Sequence, residues 1–402
     1  MGWHEKTASA DTLSEDEAAI TAHIKALHDK RSAAREAAAV ALRALVARYF
    51  GSFKRSAPVV HPHVVTPPIT RERRIMVPDR VELPRVYMAW LTPPAFQPGD
   101  AELEVTAQIL AGGKSSRLYK SLVYQRQIAQ EAAAAQNSNA LTSTFIVDAT
   151  ARPGHDAAEL EAAIDAELKA LRDTGPSEQE VERARNTIET AMLTSIEKLG
   201  GTGLANQINQ YNQYTGDPGY LPKDIERLRR VSAADVRRVA QAWLQPNARV
   251  IVSGVPGKPD LGAEVSTPPA PQAGKTAPVA GINRDEAWRR TPPKPGPAPR
   301  FALPQGQSFK LPNGLTVIHY PNPGLPLVAA ELVVKSGSDA NPSDQPGLAG
   351  FTAQMLDEGT ATRSAPRIAD EIAQLGAFLG SGASADASTV SLLALRSTFP
   401  QA

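Results

Sequence analysis

The sequence predicts an α+β fold: two-layer sandwiches of mixed or antiparallel sheet packed with helices, repeated in two successive related domains. Three observations carry this. Strand-like and helix-like runs mix densely between residues 73 and 254. A stretch over 256–299 holds 11 of the 34 prolines. Strand and helix signals then resume near Phe301.

In chain order, residues 14–48 read as helix. Ser14 and Glu17 fit a capping box, and the good helix formers Ala, Glu, Lys and Arg dominate. The apolar stripe Ile20, Ile24 and Leu27 is thin, and Gly51 punctuates the end. Pro58, Pro62, Pro67 and Pro68 make 54–69 an extended connector. Strands are expected over 73–77 and 86–91, and helices over 100–110 and 115–125, split by Gly112-Gly113. A strand pair over 128–136 and 142–149 is joined through Asn137-Ser138-Asn139. A helix follows over 157–172. The next opens at Ser177, with Pro176 before it and Glu180 completing a capping box, and runs to about 198. A shorter helix spans 204–214, Ser232 caps another to 244, and 249–254 is a closing strand.

The proline-rich stretch cannot bury a core and reads as a semi-rigid linker, with Trp288 available to pin it. Beyond it, runs at 309–311 and 315–319 flank Asn313-Gly314, a hairpin signal. Strands are expected over 327–334, 377–384 and 389–395, and helices over 347–356 and 366–375. The division expected is a helical segment 1–48, a domain 49–255, a linker 256–300 and a second domain 301–402. The last stops just after a strand, which reads as truncation. The first 45 residues read as a remnant or an artefact of the gene boundary.

Composition narrows the function. Forty-three basic and 42 acidic residues give a net charge of +1, and aromatics make up 5%. Neither favours nucleic acid or an anionic membrane. With no cysteine, thiol catalysis and thiolate metal sites are excluded. No apolar run reaches the length of a membrane span, and the first residues lack the apolar core of an export signal.

Several residues invite a chemical reading and receive a plainer one. His23 and His28, five apart, point to different sides of a helix. His61 and His63 lack further ligands, His155 sits beside the helix-start residue Asp156, and His319 lies in a strand. The loop Gly112-Gly113-Lys114-Ser115-Ser116 precedes a helix but matches no Walker loop, so it reads as a helix–helix turn capped by Ser115. Arg117 and Tyr119 are expected to stabilise the domain. Asp357 and Glu358 have no partner that suggests catalysis, and no Gly-x-Ser-x-Gly elbow is present.

Three segments, in order, carry a resemblance. Tyr49-Phe50-Gly51 is similar to the end of one domain. Leu110 to Tyr119, with Gly112-Gly113-Lys114-Ser115-Ser116-Arg117-Leu118, is similar to a Gly-Gly-x-Ser-Ser-Arg-Leu segment. Leu311-Pro312-Asn313-Gly314-Leu315-Thr316-Val317 is similar to an opening hairpin. Together they resemble the pitrilysin/insulinase family of zinc metallopeptidases over residues 45–402. The resemblance implies a chamber of four domains in two halves, one half holding zinc through His-x-x-Glu-His and a later glutamate. Two imidazoles at i and i+4 share a helix face and can both ligate, while the glutamate is base for the metal-bound water.

At the corresponding positions stand Gly350, Ala353 and Gln354. Gly and Ala offer no donor atom, and an amide is a poor zinc ligand. The family's peptide-contacting Arg and Tyr, seven apart, correspond to Val123 and Gln130. Arg126 and Gln130 are expected to face the chamber. The resemblance thus implies a non-catalytic, substrate-enclosing portion with no cofactor of its own. Zinc is expected in the family's catalytic domain. The partners implied are that catalytic zinc-peptidase domain or subunit and peptide substrates, with no nucleic acid. The setting implied is the periplasm, with the cytoplasm as alternative. A structural or assembly protein on the same fold is the other reading.

Overall fold

A computed structural model of the chain describes residues 32–51, 67–198, 200–201, 203–259 and 305–402. Most of the connector and of the proline-rich linker, the helix expected before residue 32, and His23, His28, His61, His63 and Trp288 lie outside the described residues. The chain divides into two compact units, one of Val64–Val265 with Pro321–Ala402, the other of Met1–His63 with Ser266–Tyr320.

The larger unit is built on a five-stranded sheet. Its strands are β1 (Arg73–Asp79), β2 (Arg85–Thr92), β3 (Ala129–Asn137), β4 (Ser143–Ala151) and β5 (Arg249–Pro256). Their order is β1-β5-β2-β4-β3, with β1 parallel to β5 and every other pair antiparallel. Period-two patterning sets which face is buried. Val86, Met88 and Trp90 on β2, and Phe145, Val147 and Ala149 on β4, are fully buried. Register places Trp90 opposite both Phe145 and Arg249. The Trp90 and Phe145 rings meet edge-on at 6.3 Å, and the Trp90 indole N–H donates to the Gln245 carbonyl at 2.8 Å. Arg249, 3% exposed along its side chain, is neutralised by Asp165 and by Glu72 at 2.7 Å.

Helices pack on that face: α2 (Asp100–Ala111), α3 (Ala157–Asp173), α4 (Glu178–Ser195) and α7 (Ala233–Trp243), with α5 (Leu204–Thr215) and α6 (Leu221–Arg229) beside them. α3 shows how the sequence selects its face: Leu160, Ile164, Leu168 and Leu171 fall on one stripe and are buried. Helix starts are capped where the sequence signals it. Asp156, Ser177 and Ser232 accept the N–H of Glu159, Glu180 and Asp235 at 2.9, 3.2 and 3.2 Å. His155 lies 3.1 Å from Glu159 and belongs to the first of these caps.

Two elements depart from the sequence expectation. α6 was not expected; nine residues with Pro near the start give a weak helical signal, and packing secures it through buried Leu228 and Asp224. The helix expected over 115–125 is a π-helix over Tyr119–Gln125. The turn before it is held by Ser116, whose hydroxyl donates to the Gly113 carbonyl at 2.7 Å, rather than by Ser115.

The C-terminal part of the unit pairs β8 (Leu327–Val334), β9 (Phe378–Ala383) and β10 (Ser388–Leu395) in the antiparallel order β8-β10-β9, with α8 (Leu348–Gln354) and α9 (Ala365–Gln374). In the smaller unit the described elements are α1 (Ser32–Phe50) and a hairpin, β6 (Gln307–Lys310) with β7 (Thr316–His319). Its turn has Gly314 at φ +86°, as the Asn-Gly signal requires, and His319 is exposed on β7. Layers of sheet and helix thus make up the α+β architecture that the sequence predicts.

Candidate functional site

The backbone between α2 and β3 departs from regular geometry three times within a dozen residues. First, the chain underwinds into the π-helix, where the Arg126 N–H donates to the Ser121 carbonyl at 3.0 Å, a five-residue step. Such segments are rare and concentrate at functional sites. Second, Gln127 has φ +53°, a left-handed conformation uncommon for a residue with a side chain. Third, the β3–β4 register slips between Ala129 and Glu131, so Gln130 occupies a bulge. Bulges re-aim side chains and sharpen twist.

The buried part of this segment anchors it. Leu122 is fully buried and Val123 is 9% exposed, while Tyr119 packs partly buried against the core. Arg117 is committed to structure: its guanidinium donates to both Glu180 carboxylate oxygens, at 2.6 and 2.9 Å, and to the Gly175 carbonyl at 3.3 Å. Burial alone would push the Glu180 carboxyl up, but the donors from Arg117 and from the Ser177 backbone pull it down to about 2.

The exposed part is a different surface. Tyr124, Arg126, Gln127 and Gln130 are all exposed. Among the described residues, Arg126 forms no ion pair and no side-chain hydrogen bond. This cluster opens onto β3, an edge strand of the five-stranded sheet. Its outer backbone groups have no strand partner among the described residues. Alternation along β3 leaves Ala133, Ala135 and Asn137 exposed, so small side chains flank that edge.

Of the two residues expected to face peptide, Arg126 is the C-cap of the π-helix and Gln130 is the second residue of β3. Val123, expected from the resemblance at the arginine position, packs inward. Gly350, Ala353 and Gln354 lie on α8, with Ala353 buried and Gln354 exposed. Asp357 and Glu358, just beyond α8, pair with Lys114 of the Gly-Gly turn at 3.5 and 2.6 Å. Among the described residues no three His, Cys, Asp or Glu side chains group so as to hold a metal ion. Tyr124 and Gln127 were not singled out from sequence, because neither the π step nor the left-handed turn has a residue signature there.

Residues 38–188 match the sequence model of the peptidase M16 inactive domain, and residues 316–402 match that of insulinase, peptidase family M16. Together they take in more than half of the chain. The chain belongs to the pitrilysin/insulinase (M16) family. Within this M16 chain, the π-helix, Gln127 and the Gln130 bulge all fall inside the match to the inactive domain. An uncharacterized zinc protease of Rickettsia felis is 42% identical over 67 residues, 17% of the M16 chain and 16% of the relative's own length. Among solved structures, a Helicobacter pylori protease aligns with a TM-score of 0.48 at 21% identity, covering 54% of this chain and 52% of that one. An inactive peptidase domain from Bordetella parapertussis aligns with a TM-score of 0.41 at 24% identity, covering 47% and 98%. The match over residues 38–188 gives the M16 chain a domain of the family's inactive type. Among its described residues no helix is long and apolar enough to cross a membrane.

Proposed function

We propose that this chain is a non-catalytic, substrate-enclosing part of an M16 zinc metallopeptidase, assisting peptide hydrolysis performed by a separate catalytic domain or subunit. The observation that supports it is the edge of β3, entered through the bulge at Gln130 and flanked by Arg126, both without partners among the described residues. An open edge offers alternating N–H and C=O groups to an extended peptide. Arg126 supplies a charge for a peptide carbonyl or carboxylate, and Gln130 a neutral donor and acceptor. On this reading Gly350, Ala353 and Gln354 are a lost zinc motif, so zinc resides in the catalytic partner. The working parts are then the inactive-type domain over 49–255 and a first-type domain over 301–402, joined by the linker 256–300, with 1–48 a separate helical segment. The resemblance further favours the periplasm over the cytoplasm.

The test is to measure zinc content and peptide cleavage for the chain by itself, then with an M16 catalytic subunit. The expected result is no stoichiometric zinc, no unaided cleavage, and stimulation of the partner that Arg126→Ala weakens about tenfold, as loss of one charged hydrogen bond of about 1.5 kcal/mol would. Stoichiometric zinc with unaided cleavage would overturn the reading. Absence of both stimulation and peptide binding would instead leave a structural or assembly role.

A further inference from the structure

A second site lies on the helical side of the sheet. α2, β3, α4 and α5 enclose an open cavity of about 440 Å³. Glu104 of α2 lines it, partly buried, and among the described residues its carboxylate has no hydrogen-bond or ion-pair partner. The cation that acts on it, Arg227, is already divided between two carboxylates. It donates to Asp100 at 3.0 Å and to Asp224 at 2.8 and 3.0 Å. Three carboxylates therefore share one guanidinium, and Glu104 is the one left over.

Two hydroxyls of the wall also ask for a donor. The Thr187 hydroxyl donates to the Arg183 carbonyl at 3.0 Å, and the Ser195 hydroxyl donates to the Met192 carbonyl at 2.8 Å. Both protons are committed, so both hydroxyls face a ligand with lone pairs only. The Gln136 amide is engaged at both ends: its N–H₂ donates to Asp100 at 3.3 Å and its carbonyl accepts from the Thr92 hydroxyl at 3.1 Å. Gln108 and Gln207 add neutral amides, and Ile188 and Met192 add apolar wall. Three N–H donors, no acceptor, a positive charge and an apolar stem describe an alkylammonium group.

We propose that this cavity binds an alkylammonium group, on a free amine or on a lysine side chain, with Glu104 as its counter-ion. The site is independent of the peptidase reading and stands if that reading falls. The electrostatics support it. Burial raises the Glu104 carboxyl most, Arg227 lowers it, and Asp224 and Asp100 raise it, to about 7. α4, α5 and β3 contribute only neutral groups to the cavity wall. A bound ammonium would favour the ionised carboxylate, so binding should release a proton near pH 7 and strengthen as pH rises.

The experiment is titration calorimetry of the full chain with cadaverine and, separately, with Nα-acetyl-lysine N-methylamide, at pH 6 and pH 8. Expected is saturable binding of at least one probe, about tenfold tighter at pH 8, and at least tenfold weaker in Glu104→Gln. Tighter binding of the lysine derivative assigns the site to a side chain, and tighter binding of cadaverine assigns it to a free amine. Repeating the wild-type titration at pH 7 in two buffers of different ionisation enthalpy measures the proton released. This second measurement stands even if the variant folds poorly. No saturable binding at pH 8, equal affinity in a folded Glu104→Gln protein, or binding without proton release would each overturn the proposal.

Discussion

At the scale of single residues, the Arg117–Glu180 pair shows how a motif residue becomes a structural one. Arg117 sits in the Gly-Gly-x-Ser-Ser-Arg-Leu stretch, yet its donors close on Glu180 and on the Gly175 carbonyl. Glu180 also accepts from the Ser177 N–H at 2.8 Å, so one carboxylate serves a helix cap and an ion pair together. Its carboxyl is held at about 2 in the folded protein, below the ordinary unfolded value of about 4.3. A depressed carboxylate contributes stability that is fully present above its unfolded pKa and is lost as pH falls through the folded one. Each pKa unit corresponds to about 1.4 kcal/mol. Arg117→Ala should therefore lower stability by a few kcal/mol at pH 7, and its deficit should shrink between pH 5 and pH 2. Chemical denaturation across that range checks it; a deficit that is constant with pH would mean that packing, not the charge pair, is what Arg117 supplies.

At the scale of elements, the segment from Tyr119 to Gln130 shows why helix and strand periodicity was informative and still incomplete. The apolar positions Leu118, Leu122 and Val123 announce a helix, and they are buried. Their spacing does not separate a regular helix from the wider, underwound π-helix, because the two differ by less than one residue per turn. The Gln127 turn and the Gln130 bulge are likewise imposed by neighbours. The chain must pass from helix to edge strand while the Ile128 N–H reaches back to the Leu122 carbonyl at 3.0 Å. A left-handed backbone disfavours β-branched side chains most. Gln127→Val should destabilise the protein by about 1–2 kcal/mol, whereas Gln127→Gly should be near neutral, because relief of strain offsets the added chain entropy. Thermal unfolding of the two variants distinguishes this from a surface position, where both would be nearly silent.

At the scale of the larger unit, the C-terminal part is tied to the inactive-type domain through α9 and the turn that follows it. Lys120 donates to both oxygens of Asp370 at 2.8 and 2.9 Å, and the Asn186 amide donates to the Gln374 carbonyl at 2.8 Å. The ion pair is about one-third exposed and is worth little. The closest approach is at Gly376. It has φ +62°, and a side chain there would lie 2.7 Å from the Asn186 carbonyl oxygen. Gly376→Ala should force α4 and the α9–β9 turn apart, costing about 1–3 kcal/mol from overpacking and backbone strain. Limited proteolysis should then cut more readily within Pro321–Ala402 while the five-stranded sheet stays protected. Uniform protection in the variant would show that this contact does not hold the C-terminal part in place.

The sequence by itself determined the elements and their class. Alternating apolar residues in β2 and β4, the helical stripe of α3, the Ser177 and Ser232 caps and the Asn313-Gly314 turn are local signals, each requiring only neighbours in the chain. It also brought Arg126 and Gln130 to notice through the family resemblance. Tertiary structure decided what those residues can do. Only packing turned the helix after the Gly-Gly turn into a π-helix and placed Gln130 in a bulge on an open edge. Only packing formed α6, whose Arg227 neutralises Asp100 and Asp224 and leaves Glu104 without a cation. The physical reason is the same throughout: periodicity and capping depend on near neighbours, whereas a charge balance, a cavity or a strained turn depends on groups that the fold brings together from distant parts of the chain.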